Sequence, residues 1–372
     1  MICNGIALTD FRNIASVAVR FDEGVNVLYG NNAQGKTNLL EAIYFAAIGK
    51  SFRGQHAPEV IRFGSEYAAL SLDYTAGGRA QNISMRLFPN HRARAVEKNK
   101  VRVTKMSELL GSFRAVLFCP EHLALIKGGP AERRQFLDIA VSASEPVYLA
   151  TLQRSAHILK QRNALIKKAK DDPALFDSTV DIWSAQLARE GAYIARSREK
   201  YVRRAEKYVK ACFADMTGER EAPTLAYHGP NKSGNGYEDV DETEKELYTL
   251  LSSHHEREIG AGATLWGVHK DDIEVELNGH AARLFCSQGQ QRSLALALKL
   301  AEGEICREDC GEYPVFLLDD VLSELDSKRR NYLLEKMKGK QVIMTGCEQL
   351  EHFSGKLFYV ENGTVREGLA KL

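Results

Sequence analysis

Polar and apolar residues alternate along much of the first part of the chain, and this two-residue period predicts β-strands. The strands are predicted over residues 6–8, 15–21, 25–29, 68–74, 82–88, 96–103 and 114–118. Apolar residues recur with helical spacing from Asn38 to Ile48, directly after the third strand. The N-terminal part is therefore predicted to be an α/β layer.

The pattern then changes to a helical one. Residues 132–216 have helical periodicity with long polar faces, and breaks at Pro146 and Pro173 predict three helices. Residues 218–241 are rich in glycine, asparagine and acidic side chains, which predicts a loop. Strand and helix patterns return afterwards, with strands over residues 272–277, 315–318 and 341–345, a closing hairpin over 358–365 and a helix over 290–304.

The strongest chemical signal lies between the third strand and the first helix. It has the form GxxxxGK[ST] and comprises Gly30, Asn31, Asn32, Ala33, Gln34, Gly35, Lys36 and Thr37, with Asn38 following. Such a loop curls so that its backbone N–H groups point at phosphate oxygens, and the start of the next helix favours the same charge. Lys36 is expected to reach the β- and γ-phosphates of ATP, and Thr37 to ligate Mg²⁺. An ordinary glycine turn is the alternative, which the flanking strand and helix disfavour.

A second signal is the apolar run Val315–Leu318, which ends in Asp319 and Asp320. A buried strand of this kind delivers carboxylates to the edge where α/β sheets bind ligands. Asp319 is expected to hold Mg²⁺, and Asp320 to orient or deprotonate the attacking water in ATP hydrolysis. The alternative is a strand followed by a polar turn, and the phosphate-binding loop in the same chain disfavours it.

A third signal stands at the start of the helix over residues 290–304. It consists of Ser287, Gln288, Gly289 and Gln290 and resembles the core of the ABC signature, whose hydroxyl and helix N-terminus suit a terminal phosphate. A simple helix cap by Ser287 is the alternative. The chain order favours the signature, because phosphate loop, signature, acid strand and Asp326 follow one another as in ABC ATPases. In such folds two copies pair head to tail around two ATP molecules, with Asp326 in the cross-dimer loop.

Charge is balanced over the 372 residues, with 50 basic and 49 acidic side chains, but it is uneven locally. Residues 86–105 contain seven lysines and arginines against one acid, and residues 151–210 contain fourteen against seven. Basic elements of this kind neutralise the phosphates of DNA, while a solvated helix face is the alternative. The candidates for DNA contact are Arg92, Arg94, Lys98, Lys100 and Arg102.

The seven cysteines show no framework spacing, and Cys306 with Cys310 has no second pair at zinc spacing. This favours the reducing cytosol over a secreted, disulfide-bonded scaffold. Charged residues interrupt the N-terminal apolar positions, and no run approaches the ~20 apolar residues that span a bilayer. A cytoplasmic location without a membrane partner is therefore expected.

The chain resembles the RecF family, the bacterial recombination and repair ATPases related to the SMC proteins. The resemblance covers nearly the whole chain and rests on the three motifs together with residues 11–13, 49–53, 118–121, 127–130, 133–138 and 318–326. It implies an α/β fold of the ABC-type ATPase head, a mixed sheet with a phosphate-loop core, interrupted by a helical arm. The corresponding domains are an N-terminal ATPase part at 1–120, the arm at 121–255 and a C-terminal ATPase part at 256–372.

The resemblance further implies a slow ATPase that takes ATP and Mg²⁺, forms a homodimer on binding ATP and binds single-stranded and duplex DNA at gaps and junctions. It implies cooperation with RecO and RecR in loading the RecA recombinase, and parts in DNA repair, DNA replication and the SOS response. Arg12 lies in one of the matching segments and is expected beside the nucleotide. Asp320 stands where most ABC ATPases have glutamate, and the shorter acid fits slow turnover.

Three other classes of protein are alternatives. An ABC transporter nucleotide-binding subunit has a much shorter gap between the first two motifs, whereas Ser287 follows Thr37 by 250 positions. An SMC tether needs hundreds of heptad residues in that gap, and the sequence lacks them. A P-loop kinase acting on a small molecule needs no signature.

Overall fold

The computed structural model describes residues 1–54, 57–89, 94–218, 220–230, 236–346 and 355–368. The chain divides into two compact units, Met1–Leu123 with Ala295–Leu372, and Ala124–Leu294. The strands are β1 (Ile2–Phe11), β2 (Ile14–Arg20), β3 (Val25–Tyr29), β4 (Ala68–Ala76), β5 (Arg79–Leu87), β6 (Ala95–Lys98), β7 (Val101–Arg102), β8 (Ala115–Phe118), β9 (Pro223–His228), β10 (Asp272–Leu277), β11 (His280–Ala281), β12 (Val315–Leu318), β13 (Val342–Gly346), β14 (Lys356–Glu361) and β15 (Thr364–Glu367). The helices are α1 (Lys36–Ile48), α2 (Ala124–Lys127), α3 (Pro130–Ser144), α4 (Pro146–Lys168), α5 (Pro173–Thr217), α6 (Val240–Ser252), α7 (His255–Ala261), α8 (Ala282–Phe285), α9 (Gln288–Cys310), α10 (Val321–Glu324) and α11 (Ser327–Lys336).

The first unit contains two six-stranded sheets. One is antiparallel and has the order β2-β1-β4-β5-β6-β7. The other has the order β15-β14-β3-β13-β12-β8, and its strands are parallel except for the pair β14–β15. Because β3, β13 and β12 are parallel neighbours, the residues that follow β3 and β12 lie at the same edge of this sheet, as the sequence motifs require.

Helix α1 lies in the core of the first unit. Its side chains are apolar on nearly all sides, and a helix of this composition is stable only when it is buried. It packs on β1, β4 and β5 of the antiparallel sheet and on β8 and β13 of the parallel sheet. Leu39, Leu40 and Ile43 are fully buried, and the ring of Phe45 meets that of Phe11 edge-on at 6.4 Å. This packing fixes the start of α1 close to the end of β3.

Long helices make up most of the second unit, as predicted. Helices α3, α4 and α5 are separated at Pro146 and Pro173, the two predicted breaks. The carboxylate of Asp172 caps α5 by accepting a hydrogen bond from the N–H of Leu175 at 3.1 Å, with Pro173 in the first turn. No helix in the described ranges is both long enough and apolar enough to cross a bilayer.

The structure differs from the sequence prediction in the second half of this unit. The loop predicted over residues 218–241 is wrong in part, because β9 lies within it and pairs antiparallel with β10. The predicted end of the arm at residue 255 also differs, since the compact unit continues to Leu294. The reason is that β9, β10 and β11 form a three-stranded sheet, and α5 packs against β9.

Candidate functional site

The loop between β3 and α1 requires its two glycines. Gly30 has a φ of +144° and Gly35 a φ of +115°, values that residues with a side chain rarely adopt. A Cβ atom on Gly30 would clash with the carbonyl oxygen of Val360, and one on Gly35 would lie 3.1 Å from Asn13 Oδ1. Backbone conformation and close packing therefore both demand glycine at these positions.

The turn between β14 and β15 braces the same loop. The backbone oxygen of Gln34 accepts a hydrogen bond from the N–H of Gly363 at 2.9 Å. The Oε1 atom of Gln34 accepts another from the N–H of Asn362 at 2.7 Å. The closing hairpin of the chain thus stabilises the conformation of the phosphate-binding loop.

Lys36 lies inside the curl of this loop. Its Nζ atom donates hydrogen bonds to the carbonyl oxygens of Gly30 at 2.5 Å and Asn31 at 3.0 Å. Helix α1 begins at Lys36, and its N-cap residue, Gly35, has no side chain to bind the N–H groups of the first turn. An ammonium group beside the N-terminus of a helix is a favourable setting for phosphate. The geometry fits the phosphates of ATP.

Asp319 follows β12 and meets the loop through Thr37. The Thr37 hydroxyl donates a hydrogen bond to Asp319 Oδ1 at 2.8 Å, and the Thr345 hydroxyl donates to the same atom at 3.0 Å. Burial raises the pKa of Asp319, although the two hydroxyl hydrogen bonds act in the opposite direction. A divalent cation would offset the cost of burying this charge, and hydroxyl and carboxylate oxygens are ligands that Mg²⁺ accepts. Thr37 and Asp319 therefore fit a Mg²⁺ ion.

Asp320 is exposed beside this pair and has an unusual backbone conformation. Its φ of +52° lies in the left-handed region, which is costly for a residue with a side chain and recurs at functional sites. The N–H of Asp320 donates to Thr345 Oγ1 at 2.9 Å, and Ser323 Oγ donates to Asp320 Oδ1 at 3.1 Å. Thr345 thus connects the backbone of Asp320 with the carboxylate of Asp319.

Glu41 is a site residue that the sequence analysis missed. It is fully buried on α1 and binds the Arg12 guanidinium through two hydrogen bonds, of 2.6 and 3.1 Å. Arg53 Nη2 lies 3.0 Å from Glu41 Oε2, and Ser51 Oγ donates to Glu41 Oε1 at 2.5 Å. A carboxylate in the otherwise apolar run of residues 39–47 was the signal in the sequence. Arg12, which was predicted to bind ATP, is thus held in place by this carboxylate.

The Glu41 cluster also reaches the first turn of α1. Arg53 Nη2 donates to Asn38 Oδ1 at 2.5 Å, and Asn38 Nδ2 donates to Asn13 Oδ1 at 2.7 Å. Asn38, the residue after Thr37, therefore joins the first turn of α1 to the turn between β1 and β2. The two arginines of the cluster outnumber its one carboxylate, and the positive charge of Arg53 acts on Asp319.

The signature residues form the N-terminus of α9. Ser287 Oγ accepts a hydrogen bond from the N–H of Gln290 at 3.3 Å, and Gln290 Oε1 accepts one from the N–H of Ser287 at 2.7 Å. This reciprocal pair is a capping box, so the helix-cap interpretation of Ser287 is confirmed. The capping role does not conflict with phosphate binding, because Ser287 is exposed at the N-terminus of a 23-residue helix.

Asp326 is the N-cap of α11. Its Oδ1 atom accepts a hydrogen bond from the N–H of Arg329 at 2.9 Å. That hydrogen bond, with the charge of Arg329, holds the pKa of Asp326 below its ordinary value. The side chain is about half exposed and forms an ion pair with Arg329.

The comparisons with known proteins agree with this geometry. The model of the RecF/RecN/SMC N-terminal domain matches residues 2–354. The DNA replication and repair protein RecF of Ruminiclostridium cellulolyticum (strain H10) is 37% identical over 96% of this chain and 95% of its own length. The RecF protein of Clostridium novyi (strain NT) is 35% identical over 99% of this chain and 100% of its own length. The chain belongs to the RecF family.

Solved structures support the same conclusion. The recombination mediator protein RecF-ATPrS in the RecFOR pathway is 32% identical and superposes with a TM-score of 0.93 over 98% of this chain and 97% of its own. An Smc head bound to the C-winged helix domain of ScpA is 16% identical with a TM-score of 0.54 over 99% and 97% of the two chains, and shares the fold. The superposition with the RecF structure covers 98% of this chain and therefore includes its three sheets and its helical insertion.

The basic residues predicted to contact DNA differ in their exposure and in their hydrogen bonds. Arg94 Nη1 donates to the carbonyl oxygen of Gly49 at 2.7 Å, and burial lowers the pKa of Arg94. Lys98 Nζ donates to Ser112 Oγ at 2.8 Å. Lys100 and Arg102 are exposed in the β6–β7 hairpin, while Arg92 lies outside the described residues. Lys100 and Arg102 are therefore the candidates whose charge faces solvent.

Proposed function

We propose that this RecF-family chain is an ATP-dependent DNA-binding protein of DNA repair and replication that acts as an ATP-induced dimer. Its curated relatives are named DNA replication and repair proteins, and its solved relatives are recombination mediators of the RecFOR pathway. By this kinship it binds DNA at single-strand gaps and junctions and works with RecO and RecR to load RecA. It thereby supports the SOS response.

The observation that carries the nucleotide part of the proposal is the contact between Thr37 and Asp319. These residues are 282 positions apart, yet their side-chain oxygens lie 2.8 Å from each other. A hydroxyl from a phosphate-binding loop beside the acid of a buried strand is the arrangement that holds Mg²⁺ in P-loop NTPases. A solved relative is itself described as RecF-ATP.

The residues of the site then divide the work of ATP hydrolysis. When bound, Mg²⁺ neutralises charge on the β- and γ-phosphates. Lys36 would exchange its two carbonyl partners for phosphate oxygens, and Thr37 and Asp319 would hold the cation. Asp320 orients the attacking water and accepts its proton, and its short side chain suits a slow ATPase that acts as a conformational switch.

The signature completes the site from a second copy of the chain. Ser287 stands at the exposed N-terminus of α9, where a hydroxyl and helix N–H groups suit a γ-phosphate. Asp326 then belongs to the cross-dimer loop. ATP binding would thus close the dimer, and removal of the γ-phosphate would open it.

Replacing Ser287 with arginine is expected to abolish the ATP-induced dimer while ATP binding by each copy stays unchanged. The long cation would occupy the space of the γ-phosphate in the partner's site, whereas Lys36 and Thr37 belong to the copy's own site. Sedimentation velocity with Mg²⁺, with and without ATP and a gapped duplex, measures the association, and ATP titration measures the binding.

Ser178→Arg is the matched control, because Ser178 is an exposed serine near the start of α5. That variant should dimerise like the unmodified chain. A dimer retained in Ser287→Arg would contradict the signature assignment. If the unmodified chain stays monomeric with ATP and does not bind the gapped duplex, the repair function is contradicted and a small-molecule kinase is favoured.

Reversing both exposed charges of the β6–β7 hairpin, in Lys100→Glu/Arg102→Glu, is expected to weaken DNA binding about tenfold or more. Each lost phosphate contact removes about 0.9 from the slope of log affinity against log salt, so the slope should fall by about 2. Fluorescence anisotropy of a labelled gapped duplex over a range of salt concentrations measures both quantities. Arg20→Glu/Lys338→Glu makes the same change in net charge elsewhere, and an equal loss in that control would refute a local contact.

A further inference from the structure

Two thiols meet at the C-terminal end of α9, outside the residues assigned to ATP. The Sγ atoms of Cys306 and Cys310 are 3.8 Å apart, and both side chains are half-buried. Helix geometry places Cα atoms four residues apart at about 6.2 Å. A disulfide spans Cα separations of about 4.4–6.8 Å, which this spacing meets. It also needs Cβ atoms about 3.5–4.5 Å apart, whereas those of residues four apart on a helix lie about 5–6 Å apart, so the last turn of α9 must tighten before the bond forms.

The end of the helix allows the remaining movement. Cys310 is the last residue of α9, and Gly311 follows with a φ of +77°, in the left-handed region. Helix termini fray more readily than helix interiors, and glycine adds freedom at this junction. The two sulfur atoms can therefore close to bonding distance by a change in one terminal turn.

The surroundings make the two thiols unequal. The contact with the Cys306 thiol and the positive charge of Arg114 hold the pKa of Cys310 below its ordinary value. In its thiol form Cys310 Sγ donates to the carbonyl oxygens of Cys306 at 2.8 Å and Glu312 at 3.2 Å, so it turns away from these acceptors when it ionises. The contact between the two thiols, together with burial, raises the pKa of Cys306. The thiolate is the reactive form of cysteine, so Cys310 is suited to attack and Cys306 to resolve.

The other described cysteines lack these properties. Cys3, Cys119 and Cys212 are buried. Burial raises the pKa of Cys3 and Cys119, and it also raises that of the half-buried Cys286. Metal chemistry is not favoured at the pair either, because the described ranges hold no group of three or more histidine, cysteine or acidic side chains that would complete a metal site.

We propose that Cys310 and Cys306 form a thiol-modification site that takes small-molecule disulfides and closes to an internal disulfide. The Cys310 thiolate attacks one sulfur of a disulfide formed from two monothiol molecules, such as glutathione disulfide, and one glutathione leaves as thiolate. Cys306 then gives its proton to that leaving group and attacks Cys310 Sγ, releasing the second glutathione. Two electrons pass from the protein dithiol to the small disulfide, so the exchange is balanced and reversible.

Incubation of the full chain with defined ratios of reduced to oxidised glutathione tests this proposal. After acid quenching and alkylation, intact mass and peptide mapping distinguish the free dithiol, the glutathione adduct and the internal disulfide. The unmodified chain should give an internal Cys306–Cys310 disulfide that dithiothreitol reverses. Cys306→Ser should accumulate the adduct on Cys310, and Cys310→Ser should give neither product at these positions.

Cys286→Ser is the control variant, because Cys286 is half-buried and lies outside the pair. It should form the internal disulfide to the same extent as the unmodified chain. Far-ultraviolet circular dichroism shows whether each variant is folded. An adduct on Cys286 in place of Cys310, a disulfide between two copies, or no oxidised product in the folded, unmodified chain would each overturn the proposal.

Discussion

Replacing Lys36 with alanine is expected to weaken ATP binding about 100-fold or more, with no loss of fold. Lys36 is only 8% exposed, and its ammonium group already bridges the carbonyl oxygens of Gly30 and Asn31 inside the phosphate-binding loop. A hydrogen bond between charged groups contributes about 1.5–3 kcal/mol, and a 100-fold change corresponds to about 2.8 kcal/mol. Isothermal titration with ATP in the presence of Mg²⁺ measures the change.

The control for this experiment is Lys338→Ala, which removes an exposed lysine on the same unit without touching the loop. It should bind ATP like the unmodified chain. Lys36→Arg is a further test, since a planar guanidinium cannot fit where a compact ammonium lies between two carbonyl groups. Full ATP affinity in Lys36→Ala would place the nucleotide elsewhere and remove the basis of the proposed switch.

Replacing Arg162 with methionine is expected to lower the free energy of unfolding of the second unit by about 3–5 kcal/mol. Arg162 and Glu258 are both fully buried, and Arg162 Nη2 lies 2.6 Å from Glu258 Oε2. The guanidinium also donates to Ser184 Oγ at 3.0 Å and to Thr264 Oγ1 at 2.8 Å, so it joins α4 to the rest of the unit. Methionine would leave the carboxylate of Glu258 buried without a counter-charge.

The two tryptophans make this prediction measurable. The chain has only Trp183 and Trp266, and both lie in the second unit beside the apolar cluster that contains Leu187 and Leu247. Their fluorescence during urea unfolding therefore reports on that unit, whatever happens in the other one.

The control is Arg154→Met. Arg154 also forms an ion pair, with Glu190 at 2.8 Å, but its side chain is 54% exposed. Exposed pairs contribute about 0–1 kcal/mol, so this variant should unfold close to the unmodified chain. Equal effects of the two substitutions would show that burial of Arg162 does not set its contribution. Restored stability in Arg162→Met/Glu258→Met would confirm that the loss comes from the unpaired carboxylate.

The chemical motifs were predictable because each is encoded within one short segment. The phosphate-binding loop needs only a strand, two glycines and a helix in succession, and the acid strand needs only an apolar run that ends in Asp319. The breaks at Pro146 and Pro173 were predictable for the same reason, since proline lacks the N–H group that a helix interior uses. These interactions are local, so the sequence pattern and the structure agree.

Residues whose role depends on a distant partner were missed or misplaced. Strand β9 was predicted to be a loop, because its stability comes from pairing with β10, far along the chain. Glu41 was not recognised as a site residue, because its role is to form ion pairs with Arg12 and Arg53, which lie elsewhere in the sequence. Arg94 was predicted to contact DNA like the other basic candidates, although its guanidinium donates a hydrogen bond to the carbonyl oxygen of Gly49.

The sequence by itself determined the order of the motifs, the α/β fold with its helical insertion, and the resemblance to the RecF family. Only the tertiary structure decided that Thr345 joins Asp319 to Asp320, that Glu41 holds Arg12, and that Cys306 and Cys310 are in contact. The physical reason is that local backbone preferences and hydrophobic periodicity are written in adjacent residues. Hydrogen bonds, burial and pKa shifts arise between side chains that only folding brings together.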